Sequence, residues 1–356
     1  MVLGPSRMFR DTVVEHAYVG LTETGPRALE RAVRTTLGNP VAEHSKRLVH
    51  RLFGQRNPMF LIITVALYLG GLGVFVSQAT TYIPNRYLGA YHWMAIVPVI
   101  SASMFSYAMA CMSDPGIVTK ANVGAACRRF PYDNLLFFRK DCRTCRMAKP
   151  ARSKHCSVCG CCVEMADHHC VWINNCVGLG NVRWFVLFLV SFSTVCVYGA
   201  VVLGTVVLEL RHMHGLDRTT VWDADAGMNV AMPLRRSLLV LAHMHGTLCG
   251  LAILLALLSP MVAAFSAYQL WILMCGYTGN EESKWANIAM AIDDKVAFAV
   301  KMPDGSSMIQ AIELEDQEKD TREKRLVESL AELDNIYDLG VWQNLRLVWL
   351  GRRLKQ

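Results

Sequence analysis

Four stretches of this chain contain no Asp, Glu, Lys or Arg and are each long enough to cross a bilayer: residues 58–79, 91–112, 184–208 and 251–275. A hydrocarbon core about 30 Å thick takes about 20 apolar residues of helix. Backbone amides in lipid must also bond within their own segment, which restricts such a block to a helix. A chain of 356 residues would otherwise suggest two or three soluble domains. Its 53% hydrophobic and 18% charged residues, gathered into blocks, argue against that. Apolar character in the fourth block begins earlier, around Leu238, and Pro260 inside it predicts a kink.

Basic residues orient such a chain, because they stay on the cytosolic side. Residues 1–57 carry nine basic and five acidic groups, and residues 113–183 carry eleven and five. The 80–90 loop has one basic residue, and the 209–237 loop balances four against four. With four spans, both termini and the 113–183 segment are therefore predicted to be cytosolic. The net charge of +7 reflects this orientation and attraction to anionic lipid, not nucleic acid. The first 25 residues lack a signal-peptide core, so the first span is expected to direct insertion.

From Arg27 to Phe53, Leu29, Val33, Leu37, Leu48, Leu52 and Phe53 mix with Arg31, Arg34, Lys46, Arg47 and Arg51. This suits an amphipathic helix on the inner leaflet, broken at Gly38-Asn39-Pro40; a mostly disordered tail is the alternative. A charged run at 313–328 reads as a solvated helix face. Beyond it, Trp342, Leu345, Leu347, Val348, Trp349 and Leu350 lie beside Arg346, Arg352 and Arg353, as in an interfacial helix or one packed on the 142–176 segment.

Eight of the thirteen cysteines fall within residues 142–176. On the reducing side of a membrane, clustered Cys-x2-Cys spacing points to metal and not to disulfides. The donors Cys142, Cys145, His155, Cys156, Cys159, Cys162, His169 and Cys176 make two complete Cys3His sets for tetrahedral zinc. Short zinc-held hairpins are predicted there. Cys161 and Cys170 fall outside the count. Cys161 has no neighbouring acid–base partner and reads as a spare thiol.

Cys170 is different, because Asp167 and His168 precede it. A thiolate is the attacking form of cysteine. A nearby His can take the thiol proton, and a carboxylate can hold that His in the correct tautomer. Zinc on the intervening His169 would turn the backbone so that the three converge. The other reading makes Asp167 and His168 supports for the zinc ligands alone.

The run Asp167-His168-His169-Cys170, the cysteine spacing around it, Asn174-Asn175-Cys176-Val177-Gly178 with Asn181, and Asp114-Pro115-Gly116 after the second span resemble the DHHC-type protein S-acyltransferases. The resemblance covers about residues 58–285 and a patch near Asn335. It implies that Cys170 accepts a fatty acyl group from acyl-coenzyme A, with His168 as general base and Asp167 orienting it. It also implies one zinc on Cys142, Cys145, His155 and Cys162, and another on Cys156, Cys159, His169 and Cys176; spacing alone allows other pairings. Asn335 and Tyr337 resemble a C-terminal motif thought to brace the module. Lys149-Pro-Ala-Arg-Ser-Lys-His155 resembles the endoplasmic-reticulum branch more than the Golgi enzymes.

This chain departs from the family pattern at two places. Thr278-Gly279-Asn280-Glu281 stands where the family has Thr-Thr-x-Glu, and Val171 replaces a Pro. If the second Thr hydroxyl bonds the catalytic Asp, Gly279 removes a bond of about 1 kcal/mol, and a slower enzyme is expected.

The predicted architecture is an all-α membrane protein whose four transmembrane helices flank a cytosolic two-zinc cysteine-rich module between spans two and three. Its parts are an N-terminal arm (1–57), spans one and two (58–112), the module (113–183), spans three and four with a lumenal loop (184–276) and a cytosolic C-terminal segment (277–356). The expected reaction is ping-pong transfer of a palmitoyl chain from palmitoyl-coenzyme A to Cys170, then to client cysteines near the membrane. Burying the acyl chain among the spans would contribute about 0.8 kcal/mol per CH₂. Arg139, Lys140, Arg143, Lys149 and Arg152 are candidates to attract the coenzyme A phosphates. A non-catalytic zinc-binding scaffold is the alternative, with Gly279 as its best support. A transporter would want ionisable groups inside the spans, where only His92 occurs, near a boundary. Nucleic acid is not expected as a partner of a module held against the membrane.

Overall fold

The computed structural model describes residues 24–37, 39–223, 227–301, 307–311 and 323–351. In chain order the helices and strands are α1 (Gly25–Leu37), α2 (Asn39–Phe53), α3 (Met59–Gln78), α4 (Trp93–Met112), β1 (Ile117–Val118), α5 (Val123–Arg129), β2 (Asp141–Cys142), β3 (Met147–Ala148), β4 (Lys154–Cys156), β5 (Cys161–Val163), β6 (His169–Cys170) and β7 (Asn175–Cys176). They continue as α6 (Val182–Met213), β8 (Thr220–Asp223), β9 (Met228–Ala231), α7 (Leu234–Met244), α8 (Gly246–Met274), α9 (Gly279–Asp293), β10 (Ala297–Lys301), β11 (Ser307–Ala311), β12 (Lys324–Leu326) and α10 (Val341–Leu350).

Among these, α3, α4, α6 and α8 are long and apolar enough to span a membrane, and they contain the four charge-free blocks almost entirely. The chain is read as a multi-pass membrane protein on this ground. Helix α6 has 32 residues. At 1.5 Å per residue it is about 48 Å long, well beyond the hydrocarbon thickness. The early apolar onset of the fourth block is a separate helix, α7, ended at His245 before α8 begins. Helix α8 runs through Pro260 without a break.

The chain divides into two compact units. One comprises residues 60–111 and 184–268. Its core gathers Ala79, Ile83, Leu88 and Ile96 with Val202, Leu203, Val206, Leu210, Leu241 and Leu248. The other unit comprises residues 1–59, 112–183 and 269–356. In it the cysteine-rich segment folds as short antiparallel hairpins, β2–β3, β4–β5 and β6–β7, with β1 added to the edge of β5.

The fold is mostly helical, and the all-α expectation is corrected by the C-terminal segment. There β10 pairs with β11 on one side and β12 on the other, Phe298 lying opposite Gln310 and Leu326. The run Ala297-Phe-Ala-Val300 is too short for a buried helix but suits a strand, with Ala297 and Val300, on its opposite faces, both buried. Lys324–Leu326, expected within a helix face, is therefore a strand; residues 312–322 of that charged run lie outside the described residues. So do Arg352, Arg353 and the side chains of Leu29, Val33, Leu37, Leu52 and Phe53. Helices α1 and α2 are separated by a single residue.

Helix α10 packs by one face and leaves the other exposed. Asn344, Leu347 and Val348 are buried, whereas Trp342 is 84% exposed. Arg129 donates to the Gly351 carbonyl at 3.0 Å and Arg183 to the Trp349 carbonyl at 3.2 Å, satisfying acceptors that a helix end leaves open. Asn344 Nδ2 donates to the Met274 carbonyl at 2.9 Å and to Asp338 at 2.7 Å, while its Oδ1 accepts from Leu339 N at 3.0 Å. Asn344→Ala is expected to lower stability by about 1–3 kcal/mol through these orphaned buried groups. A thermal melt of the purified protein checks it, and an unchanged melt would dismiss the bracing role.

Candidate active site and metal centres

Two knuckles of one design present the metal donors. In each, a Cys-x2-Cys turn is closed by a residue in the left-handed region, Arg146 (φ 49°) or Gly160 (φ 67°). The Arg146 and Gly160 amides donate to the Cys142 and Cys156 carbonyls at 2.8 Å. The Cys145 and Cys159 amides donate to the Cys142 and Cys156 sulfurs at 3.5 and 3.3 Å, which favours thiolates.

Each knuckle is completed from the neighbouring hairpin. Cys142, Cys145 and Cys162 place their sulfurs 3.6, 3.3 and 3.9 Å from His155 Nδ1. Cys156, Cys159 and Cys176 lie 3.7, 3.3 and 3.5 Å from His169 Nδ1. With Zn–S about 2.3 Å and Zn–N about 2.1 Å, a tetrahedral ion needs S···N edges of about 3.6 Å and S···S edges of about 3.8 Å. The Cys145–Cys162 and Cys159–Cys176 sulfur separations are 3.8 and 3.5 Å. Both clusters therefore fit a tetrahedral ion, and a soft Cys3His donor set suits zinc.

Cys161 belongs to neither cluster. It stands opposite Cys156 on the β4–β5 hairpin, and burial pushes its thiol up to about 11.

Cys170 sits on the β6–β7 hairpin between two ligands. His169 faces Cys176 across the ladder, and Cys170 faces Asn175. The connecting turn needs Asn174 at φ 49°, a conformation that Asn tolerates better than most residues. Asn175 Nδ2 donates to the Ser113 carbonyl at 2.9 Å, tying the hairpin to the Asp114-Pro115-Gly116 turn. That turn meets the chain at Gly178 and Gly180, where an added Cβ would lie 2.5 Å from the Pro115 carbonyl oxygen and 2.2 Å from that of Asp114. Only glycine permits this backbone approach.

Asp167, His168 and Cys170 come together. Asp167 N donates to the Val177 carbonyl at 2.9 Å and Val177 N to the His168 carbonyl at 2.8 Å, extending the hairpin pairing backwards. The Asp167 carboxylate is buried and its Oδ2 accepts from His168 Nδ1 at 2.5 Å. The imidazole keeps 29% of its surface exposed. Burial pushes its pKa down, but the bonds to Asp167 and to the Cys170 thiol outweigh that and hold it up at about 10.

The other carboxylate oxygen of Asp167 takes a bond that side-chain identities do not show. The Gly279 amide donates to Oδ1. Gly279 is the first residue of α9, whose N-cap Thr278 forms a capping box with Glu281. Such an amide has no partner within the helix, and the helix start favours an anion. Thr278 Oγ1 donates instead to the Ala166 carbonyl at 3.2 Å. The main chain thus supplies the bond that a Gly in this position was expected to forfeit. Gly279→Pro removes this donor at a helix position where Pro is otherwise tolerated. On the acyl-transfer reading that the resemblance implies, it should slow acylation of Cys170 by about 1.5–3 kcal/mol, whereas Gly279→Ala keeps the N–H and should cost less. Equal single-turnover rates for the two variants would disprove the bond's role.

The same turn of α9 is anchored by a buried ion pair. Arg152, 1% exposed, donates from Nε to Glu281 Oε1 at 2.6 Å and from Nη2 to Glu281 Oε2 at 2.5 Å and the Gly276 carbonyl at 2.9 Å. Its guanidinium carbon lies 5.3 Å from the Phe130 ring and 4.9 Å from the Tyr337 ring. Tyr337 is itself buried and donates to the Pro131 carbonyl at 2.8 Å, while Asn335 Oδ1 accepts from Tyr337 N at 3.1 Å. Arg152 was expected among residues that attract phosphate; enclosed in this way, it is not available for that.

Lys140 and Lys149 do line a small cleft, with Phe137, Pro150 and Lys284. Burial pushes the Lys284 ammonium down to about 8, Glu281 opposing and Lys149 and Lys140 reinforcing the shift.

Residues 137–286, which hold both metal clusters, the Asp167–Cys170 run and Glu281, match the family model described as DHHC palmitoyltransferase. Palmitoyltransferase swf1 of Schizosaccharomyces pombe is 31% identical over 291 residues, 82% of this chain and 75% of that protein. Palmitoyltransferase SWF1 of Neurospora crassa is 30% identical over 359 residues, covering 91% and 82%. Palmitoyltransferase ZDHHC4 of Mus musculus is 28% identical over 267 residues, 73% of each chain.

Proposed function

Because the chain belongs to the DHHC palmitoyltransferase family and is a protein S-acyltransferase, we propose that Cys170 carries a palmitoyl group from palmitoyl-coenzyme A to cysteine thiols of client proteins. The observation that carries this assignment is the meeting of the Asp167 carboxylate, the His168 imidazole and the Cys170 thiol, none of which is a donor of either metal cluster.

In the first half-reaction His168 takes the Cys170 proton. The sulfur attacks the thioester carbonyl, the new C–S bond forms, and the coenzyme A thiolate leaves with the proton returned by His168. In the second, a client thiol gives its proton to His168 and attacks the acyl-enzyme, and Cys170 leaves as the thiol. Asp167 does not exchange a proton. Held by His168 on one oxygen and Gly279 on the other, it fixes the ring and stabilises the imidazolium.

Zinc on Cys142, Cys145, His155 and Cys162, and on Cys156, Cys159, His169 and Cys176, would lock the hairpins that bear Cys170. Lys140, Lys149 and Lys284 are the basic groups we assign to attracting the coenzyme A phosphates. The charge distribution supports a cytosolic module and cytosolic termini, with residues 209–237 in the lumen. Membrane lipids surround the spans, and clients offer cytosolic cysteines near the bilayer. The endoplasmic reticulum is preferred over the Golgi, on the Lys149–His155 resemblance. The scaffold alternative loses its main support, since the Gly279 amide bonds Asp167 directly.

Peptide mapping after incubation with palmitoyl-coenzyme A tests the proposal. The acyl group is expected on the Cys170 peptide and is expected to be released by neutral hydroxylamine. A protein that retains both zinc ions yet forms no acyl-enzyme would favour the scaffold.

A further inference from the structure

We propose that His214 and His245 form a binding site for a divalent transition-metal ion, separate from both cysteine-containing clusters. The imidazoles face each other through Nε2, 3.2 Å apart, with ring centroids 5.5 Å apart and planes at 44°. Two imidazole nitrogens bound to one tetrahedral ion at about 2.0–2.1 Å stand about 3.3–3.4 Å apart. Imidazole also suits zinc, nickel and copper better than it suits calcium or magnesium.

The backbones bearing these rings are fixed without help from a ligand. His214 N donates to the Leu210 carbonyl at 3.0 Å as α6 ends, and the chain turns at Gly215 (φ 64°). His245 N donates to the Leu241 carbonyl at 2.7 Å, and its own carbonyl accepts from Cys249 N at 3.0 Å at the start of α8. Leu210, Leu241, Leu248 and Cys249 all lie in one buried cluster beneath them. The two donors are therefore brought together before any ion arrives. His214 is exposed and His245 partly buried, so an ion with water on its remaining positions can enter.

The nearby His212 is committed elsewhere, its Nδ1 being 2.6 Å from Asp217 Oδ2 and its Nε2 against Arg86. A bare hydrogen bond between the His214 and His245 rings is the competing account, and it requires opposite tautomers. An ion takes both lone pairs and cross-links the end of the third span to the start of the fourth.

Nickel(II) is the probe, because it favours imidazole while leaving the Cys3His sites to zinc. The tag-free full-length protein in detergent, carrying its two zinc ions, is equilibrated with Ni²⁺, desalted and analysed for both metals, alongside thermal melts. The wild type is expected to retain one nickel per chain and to melt higher. His214→Gln, His214→Asn and His245→Gln are expected to lose the nickel and the melting shift, with zinc still at two and acyl-enzyme formation unchanged. His243→Gln is expected to keep the nickel. No nickel on the wild type, or equal nickel on wild type and the three ligand variants, would overturn the site and leave only a hydrogen-bonded pair.

Discussion

Replacing Cys170 with serine is expected to abolish hydroxylamine-labile acyl labelling from palmitoyl-coenzyme A and all transfer to client thiols. Serine keeps the shape of the site but offers a hydroxyl in place of the sulfur that attacks as a thiolate. Cys170 lies outside both four-donor clusters, so the variant should retain two zinc ions per chain. That metal count separates loss of chemistry from loss of fold. Cys161→Ser is the companion variant, expected to label like the wild type because burial keeps that thiol protonated. Wild-type labelling of the Cys170→Ser protein would remove Cys170 as the acyl carrier.

Arg152→Met should cost the folded protein about 3–5 kcal/mol, since it leaves the Glu281 carboxylate buried without its partner. The damage should extend to catalysis. Glu281 closes the capping box of the same helical turn that presents the Gly279 amide to Asp167. Arg152→Lys should fall between, because an ammonium cannot make the paired bonds to Glu281 while lying between Phe130 and Tyr337. The double variant Arg152→Met with Glu281→Met should regain part of the loss, as apolar replacements of buried ion pairs commonly do. Melting curves and single-turnover acylation rates check all three. An Arg152→Met protein that melts like the wild type would refute the anchoring role.

The spans were legible because a bilayer imposes one requirement on every residue within it, and absence of charge over more than twenty positions has few other meanings. Donor spacing was legible because zinc demands a fixed number and kind of ligand. Which donors share an ion was not, since two adjacent knuckles can exchange partners without any change in spacing. Arg152 was misread because its burial depends on Phe130 and Tyr337, one of them 185 positions away. The Gly279 contact escaped because its donor is an amide that every residue but proline carries. The β10–β12 sheet rests on three- and five-residue strands paired through distant registers, a pattern too brief to announce itself.

The bond between Asp167 and Gly279 spans 112 positions of chain. A ribosome adding about 5–20 residues per second needs roughly 6–22 s to cover that distance. During that interval the nascent polypeptide already carries Asp167, His168 and Cys170 but not the amide that bonds the Asp167 carboxylate. Maturation is thereby ordered in time: this bond can form only after the fourth span has been made and the following helix has started.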